Sequence, residues 1–320
     1  MRRIAIINQK GGVGKTTTTA NLGAAAARAG QRVLLVDLDP QAHLTLHFGV
    51  TLSDNQPNIY DVLTSATAVA QALVPVEKSV VLLPSDVDLA GAEMELVSVP
   101  GREVILRQAL TAVENDFDIM LIDCPPALGV LTVNALVASD EVLIPLQAHF
   151  FGLQGLGKLL DTVTLVKKRI HPPLRVSGIV LCMHESATKL AGEVVDDLRQ
   201  FLDSTRAAPV PWSEARLFDT AIRRNIKLAE ASSYGKTVFD YAPRSNGAID
   251  YARLAGEIFQ FDPKTILALA DAAADGEAAA SELTSELQPT STPYEPAITE
   301  TCQTVQHGHP LRVDPMVHAY

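Results

Sequence analysis

The sequence predicts a doubly wound α/β fold with a mostly parallel central sheet. Short apolar runs alternate along the chain with longer segments of helical period. The runs are continuously apolar, which is typical of strands buried on both faces. Two of the runs end in aspartate, at Asp37 and Asp123. This pattern places acidic side chains at the carboxyl edge of the sheet, where such folds bind their ligands.

The first unit contains a glycine-rich loop between a predicted strand at residues 4–7 and a predicted helix at residues 20–29. The loop, residues 9–17, reads Q-K-G-G-V-G-K-T-T. Its glycines let several backbone N–H groups converge on one point, and the helix N-terminus adds partial positive charge there. The strand–loop–helix order therefore predicts a phosphate-binding loop (P-loop).

Individual residues of the loop receive separate roles. Lys15 is predicted to reach the β- and γ-phosphates, and the Thr16 hydroxyl to hold Mg²⁺. The loop departs from G-x-x-x-x-G-K-[ST], because Gln9 stands at the first glycine position and Lys10 adds a second lysine. The alternative is that Lys10 is a solvated loop residue. The remaining predicted nucleotide contacts are Gly11, Gly12, Val13, Gly14 and Thr17.

The later elements continue the alternation of strands and helices. Apolar side chains at helical spacing predict a helix at 101–114. Further strands are predicted at 32–37, 80–84, 117–123, 141–146 and 176–181, and further helices at 153–169 and 193–202.

Composition divides the chain into a domain and a tail. Apolar residues make up 47% of the 320 residues, enough for a large core, so residues 1–262 are predicted to form one domain. Residues 263–320 carry two basic against eight acidic side chains, and a weak helical segment as far as Ala279 gives way to Ser, Thr, Pro and Glu. This tail is predicted to be disordered. The net charge of −11 argues against a constitutive polyanion binder, while local basic patches stay possible.

The cysteines and the hydropathy indicate the cellular compartment of the protein. Cys124, Cys182 and Cys302 are far apart and form no C-x-x-C pair, which favours a reducing environment. The sequence shows no leader and no apolar run near the ~18 residues that a membrane span requires. The expectation is a soluble, cytoplasmic protein that does not bind membranes.

Three carboxylates follow predicted strands. Asp123 is predicted to bind Mg²⁺ directly or through water, the alternative being an aspartate that only ends a strand. Asp39 is the better candidate to orient the attacking water and is also assigned to the metal site. Asp37 is expected to brace the metal shell.

Four stretches resemble one protein family. K-G-G-V-G-K-T-T at 10–17 resembles the deviant Walker A loop of the ParA/MinD ATPases, and D-L-D-P-Q at 37–41 resembles the switch segment of the ParA/Soj branch. Residues 128–136 and 228–236 match that branch too. The resemblance implies a homodimer that forms with ATP and Mg²⁺, in which Lys10 reaches the nucleotide of the other subunit and Asp39 is required for hydrolysis. It also implies chromosome or plasmid partition with a ParB-like stimulator.

The same resemblance implies nonspecific DNA binding that switches with nucleotide, and hence association with the nucleoid. Asn225 is assigned to the nucleotide. Two departures leave the strength of DNA binding open: Arg223 replaces a usual proline, and Ala187 replaces an arginine that contacts DNA in the family. The alternative for any one of the basic candidates is a solvated charged turn. The DNA-binding candidates are Lys189, Arg223, Arg224 and Lys227.

Two other functions are possible. A nucleotide-gated scaffold that positions a protein cargo is supported by Ala187. The second is a membrane-associated positioning ATPase of the MinD kind, which would need a basic amphipathic helix at the end of the chain. The end of this chain is instead acidic and rich in proline.

Overall fold

A computed structural model describes residues 1–148, 150–185 and 189–274. Its strands form one sheet in the order β3-β4-β2-β5-β1-β6-β7-β8, and β9 pairs with the carboxyl end of β7. The strands are β1 (Arg2–Ile6), β2 (Val33–Asp37), β3 (Val74–Glu77), β4 (Val80–Leu83), β5 (Ile119–Asp123), β6 (Glu141–Leu146), β7 (Arg175–His184), β8 (Arg216–Leu217) and β9 (Ile222–Arg223).

Strand pairing is parallel throughout the described sheet except between β3 and β4. The first strand, β1, lies between β5 and β6, so the loop that follows it opens at the middle of the carboxyl edge. In the register of β2 with β5, Asp37 lies opposite Asp123, and Ile6 pairs with Asp123 on the other side. The sheet thus brings the two predicted acidic positions together beside the glycine-rich loop.

Helices cover both faces of the sheet, as the prediction of a doubly wound fold requires. Successive residues of β1 and β2 point into two separate apolar clusters, one on each face. The helices are α1 (Lys15–Arg28), α2 (His43–His47), α3 (Ile59–Thr64), α4 (Val69–Ala72), α5 (Leu89–Glu95), α6 (Ile105–Leu110), α7 (Val130–Ala138), α8 (Phe150–Arg169), α9 (Lys189–Ser204), α10 (Ile226–Ser233), α11 (Val238–Tyr241), α12 (Asn246–Phe259) and α13 (Pro263–Ala274).

The helix predicted at 101–114 is broken into three pieces. α6 is flanked by 3₁₀ turns at Arg102–Val104 and Thr111–Val113. The Asn134 amide from α7 donates to the Arg102 carbonyl at 2.8 Å and accepts from the Leu106 N–H at 3.1 Å. Because this side chain satisfies backbone groups at the start of α6, the helix need not extend to residue 101.

A helix follows directly after the predicted domain boundary at Asp262, within the helical segment predicted as far as Ala279. Pro263–Ala274 forms α13, and its Ile266 and Ala270 are fully buried in the same apolar cluster as α1 and α12. Leu267 packs against the same cluster, so an apolar face of α13 docks this helix on the domain. Residues 275–320, the rest of the predicted tail, lie outside the described residues.

Within the described part of the chain, no helix is both long and apolar enough to cross a bilayer.

His47, at the end of α2, makes folding sensitive to acid. It is 3% exposed, and burial lowers the pKa of its imidazole from 6.5 to about 4, against a smaller opposing effect of the Lys236 backbone. The unfolded chain therefore binds a proton that the folded chain rejects between those pH values. The stability that His47 contributes is complete above pH 6.5 and is lost as the pH falls toward 4, by up to about 3 kcal/mol.

The test is the difference in unfolding free energy between wild type and His47→Gln. Asp37 acts in the opposite direction, since burial raises its pKa to about 6 and its contribution is lost as the pH rises. The difference between the two proteins cancels that effect. Between pH 7 and pH 4, the unfolding free energy of wild type should fall by up to about 3 kcal/mol relative to that of His47→Gln, as measured by urea titration. A difference that stays constant with pH would show that His47 does not cause the acid sensitivity.

Candidate active site

Two glycines and one asparagine shape the loop after β1. Gly14 (φ 94°) caps the N-terminus of α1, and Gly12 has φ 70°. A side chain at either position would be strained. The buried Asn8 fixes the start of the loop, because its amide donates to the Pro145 carbonyl at 2.7 Å and accepts from the Lys10 N–H at 2.9 Å. Sequence analysis missed Asn8, since its partner on β6 is far away in the chain.

Lys15 points inward from the first turn of α1. It is 7% exposed, and its Nζ lies 3.5 Å from the Lys10 carbonyl oxygen. The ammonium therefore lies within the curve of the loop, together with the N–H groups at the start of α1. This arrangement suits a polyanion such as a nucleotide phosphate chain.

Thr16 and Asp123 meet at the carboxyl edge of the sheet. The Thr16 hydroxyl donates to Asp123 Oδ2 at 2.6 Å, and Asp123 Oδ1 is buried without a hydrogen-bond partner. Asp123 is 1% exposed, and burial, reinforced by the negative charge of Asp37, raises its pKa well above the ordinary value. A buried carboxylate oxygen without a donor is costly on its own. A hydroxyl and a carboxylate are also ligands that suit Mg²⁺, so the residues fit a magnesium ion bound there.

Asp37 serves as an anchor for α2. Its Oδ2 accepts hydrogen bonds from both the N–H and the hydroxyl of Thr45 at 2.8 Å, and its Oδ1 accepts from the Asp39 N–H at 3.3 Å. Asp37 thus supports the site by fixing the segment that carries Asp39. Thr45 was not identified from the sequence.

Asp39 lies just beyond β2, and the structure brings it to the same edge as Asp123. It is 8% exposed, its Oδ1 accepts from the Gln41 N–H at 2.9 Å, and its carbonyl accepts from the buried Ser85 hydroxyl at 2.9 Å. A cavity of about 880 Å³ opens beside this segment, with Ser85 in its lining. Ser85 is a second supporting residue that sequence analysis missed.

The Lys10 side chain contacts a residue of its own chain. Its Nζ donates to Gln147 Oε1 at 3.3 Å, just after the end of β6. The prediction that Lys10 acts across a dimer interface is therefore compatible with a side chain that can exchange one partner for another.

Asn225 caps the N-terminus of α10, where its Oδ1 accepts from the Lys227 N–H at 2.9 Å. It follows β9, whose Ile222 pairs with Cys182 of β7. Cys182 packs behind the loop, within 3.7 Å of a Cβ placed on Gly14. Asn225 is thus tied to the rear of the loop by a short strand, while its contact with a nucleotide stays a prediction.

The three basic candidates near β9 form ion pairs. Arg223 binds the buried Asp250 with Nη2 at 2.6 Å from Oδ1, so its guanidinium neutralises an internal carboxylate. The other two pairs are on the surface: Arg224 with Glu185 at 2.7 Å, and Lys227 with Glu230 at 2.7 Å.

Two further positions belong to the DNA-binding prediction. Ala187 lies outside the described residues. Lys189 is the first residue of α9, and its backbone alone is described.

Comparison with known proteins places this site in a family. A family model described as an AAA domain matches residues 1–176. The sporulation initiation inhibitor protein Soj of Bacillus subtilis is 43% identical over 80% of this chain and 97% of its own length. The chromosome partitioning protein ParA of Myxococcus xanthus is 40% identical over 82% of this chain and 90% of its own length.

A solved structure matches over the same region. It is described as cobyrinic acid a,c-diamide synthase from Mycobacterium smegmatis with bound ATP analogue and magnesium. The identity is 35% and the TM-score 0.68, with 81% of this chain and 95% of the other covered. From the extent of these matches, together with the loop and its acidic partners, this chain belongs to the Soj/ParA family of chromosome-partitioning proteins.

Proposed function

We propose that the protein is an ATP-dependent, dimerising ATPase of the Soj/ParA type that partitions or positions DNA. The observation that carries the proposal is the contact of Thr16 with the buried Asp123, whose second oxygen has no partner. This contact stands beside Lys15 and the loop N–H groups, so anion and cation sites adjoin. Such adjoining sites are what a magnesium–nucleotide complex requires.

Each residue has a distinct task in hydrolysis. Lys15 neutralises charge that develops on the γ-phosphate, and the N–H groups of the loop orient the phosphate chain. Thr16 and Asp123 would hold Mg²⁺, which supplies charge neutralisation across the phosphate oxygens. Asp39 positions the attacking water, and Lys10 of one subunit acts on the nucleotide of the other.

Nonspecific DNA binding and a ParB-like stimulator complete the proposal. In the ATP dimer, two copies of the surface basic residues share one lattice of phosphates, which favours the dimer over the monomer on DNA. Hydrolysis returns the protein to monomers and releases the DNA. The stimulator accelerates that step.

The experiment is binding to nonspecific duplex DNA across a salt series, with ATP and with ADP. We expect binding that depends on ATP and whose log affinity falls steeply with log salt concentration. Binding of equal strength in both nucleotide states would contradict a nucleotide switch, and the absence of binding in either state would contradict the DNA function.

Arg224→Ala is the most informative surface variant. Arg224 is 70% exposed and its partner Glu185 is 55% exposed, so the pair costs little to open toward a phosphate. We expect the magnitude of the salt slope to fall by about 1 for each Arg224 removed from a phosphate, without loss of ATP hydrolysis. Filter binding at several salt concentrations measures the slope.

The matched control is Arg169→Ala. This exposed arginine ends α8, which leads into the amino end of β7, whereas Arg224 follows β9 at the carboxyl end of β7. Arg169→Ala should leave the slope unchanged. Arg223→Ala is unsuitable as a probe, because it would leave the buried Asp250 with the backbone N–H of residue 223 but without a guanidinium, and cost about 1–3 kcal/mol of stability. Equal slopes for wild type and Arg224→Ala would remove Arg224 from the interface.

A protein cargo is the second candidate. The ion pairs of Arg223, Arg224 and Lys227 favour it, because each basic group already has an acidic partner. The salt series decides between the two: an active, dimerising ATPase without affinity for DNA supports the protein cargo.

A further inference from the structure

The structure assigns a positioning role to Gln147: it holds the Lys10 ammonium within its own subunit and so opposes the transfer of Lys10 to the nucleotide of a second subunit. The inference rests on the proposed function, in which Lys10 acts across the dimer interface. The inference adds to that function a residue, Gln147, that controls how readily the ATP dimer forms.

The contacts of Gln147 fix the orientation of its amide. Its Nε2 donates to Met183 Sδ at 2.9 Å and lies 3.5 Å from the Gly12 carbonyl oxygen, while its Oε1 accepts from Lys10 Nζ at 3.3 Å. Rotating the amide by half a turn would set its oxygen against two acceptors and its NH₂ against an ammonium. The oxygen must therefore face Lys10.

Met183 is held in an unusual conformation that serves this contact. Its φ is 50°, and the pairing of β7 with β9 shifts register between Cys182 and His184, so Met183 is the extra residue of a bulge. Bulges redirect side chains next to functional sites. Backbone conformations with positive φ are sparsely populated by residues other than glycine. The bulge aims the thioether sulfur, a weak acceptor, at the Gln147 amide.

The backbone of Lys10 cannot move with its side chain. The Lys10 N–H is bound to Asn8 Oδ1 at 2.9 Å, and Asn8 is itself buried and tied to β6. To reach a second subunit, the Lys10 side chain must swing away alone and break its hydrogen bond to Gln147. The contact thus favours the monomer and raises the protein concentration at which the dimer forms.

Dimerisation with a non-hydrolysable ATP analogue, followed by sedimentation velocity, tests this role. We expect Gln147→Ala to lower the dimer dissociation constant by about tenfold to a hundredfold, because both subunits break this hydrogen bond and each bond is worth about threefold to tenfold. Gln147→Glu should raise the constant, because a carboxylate holds the ammonium more strongly. Met183→Leu, which keeps the shape and removes the acceptor, should act like Gln147→Ala but more weakly. Lys10→Ala itself weakens dimerisation, so that background is measured at higher protein concentration, where Gln147→Ala should cause no further shift.

A second measurement does not depend on dimers. In nucleotide-free protein, acylation of Lys10 by an N-hydroxysuccinimide ester, quantified by mass spectrometry, should be about threefold to tenfold faster in Gln147→Ala. The exposed Lys78 provides the control and should react at an unchanged rate. If wild type does not dimerise with the analogue, the proposed function fails, and the acylation rate still tests the contact.

Three results would overturn the inference. Gln147→Ala and Gln147→Glu could shift dimerisation in the same direction, as a merely structural residue would. The shifts could persist without Lys10. The acylation rate of Lys10 could be unchanged or slower in Gln147→Ala.

Discussion

Lys15→Ala should hydrolyse ATP about 10²- to 10³-fold more slowly than wild type, measured as kcat/KM. Lys15 is almost fully buried within the loop, and its ammonium lies 3.5 Å from the Lys10 carbonyl. In this position it can reach a phosphate without reorganisation of solvent, which makes its charge worth more than that of an exposed lysine. Thr16 is neutral and its partner Asp123 is acidic, so neither side chain can supply the missing positive charge.

The variant Lys15→Met separates the effect of the Lys15 charge from the effect of its side-chain volume. Methionine keeps the apolar stem in the buried space and removes the ammonium, so it should lose as much activity as alanine does. Thermal melting identifies a variant that is merely unfolded. Retention of more than about a tenth of wild-type kcat/KM by both folded variants would contradict the phosphate-binding role.

Local sequence was sufficient to predict the loop and the acidic residues that face it. Gly14 and Lys15 belong to one short motif, and Asp123 ends a strand of continuous apolar residues. Parallel strands bring their carboxyl ends to one edge, so a residue that ends one strand lies near a residue that ends the next. The approach of Asp123 to Thr16 also requires that β5 lie beside β1, the strand from which the loop leads into α1.

The supporting residues could not be predicted in this way. Gln147 and Lys10 are 137 positions apart, and their contact depends on the order of strands β1 and β6. Ser85 and Thr45 are single polar residues that carry no motif. Their roles are apparent only in the folded structure, where the Ser85 hydroxyl binds the Asp39 carbonyl and the Thr45 hydroxyl binds the Asp37 carboxylate.

Arg223 shows how a surface prediction changes when its partner is known. In the sequence it belongs to a run of basic residues, which indicates a polyanion-binding segment. In the structure its guanidinium binds Asp250, which lies on α12, 27 positions later and almost fully buried. Charge in a sequence therefore does not distinguish a guanidinium that faces solvent from one that neutralises an internal carboxylate.

Asp39→Ala should uncouple dimerisation from hydrolysis. We expect kcat to fall by about 10²- to 10⁴-fold, the usual contribution of a group that positions or deprotonates a nucleophile. ATP-dependent dimerisation should persist, because Lys10, Lys15 and Thr16 are untouched. The structure supports this separation: the Asp39 carbonyl remains bound to Ser85, and Asp37 still anchors α2 through Thr45. Steady-state kinetics and light scattering with ATP measure the two properties on one sample.

Asp39→Asn makes the test sharper. The amide oxygen can still accept from the Gln41 N–H, which Asp39 Oδ1 now does at 2.9 Å, so the turn is preserved while the negative charge is removed. Asn and Ala should therefore lose comparable activity, and Asp54→Ala, which removes an exposed carboxylate from the lining of the adjoining cavity, should lose none. An Asp39→Ala protein that turns over ATP at the wild-type rate would refute the catalytic role of Asp39. A variant that no longer dimerises with ATP would instead place Asp39 in nucleotide binding, since charge at this edge would then be needed before the water attacks the phosphate.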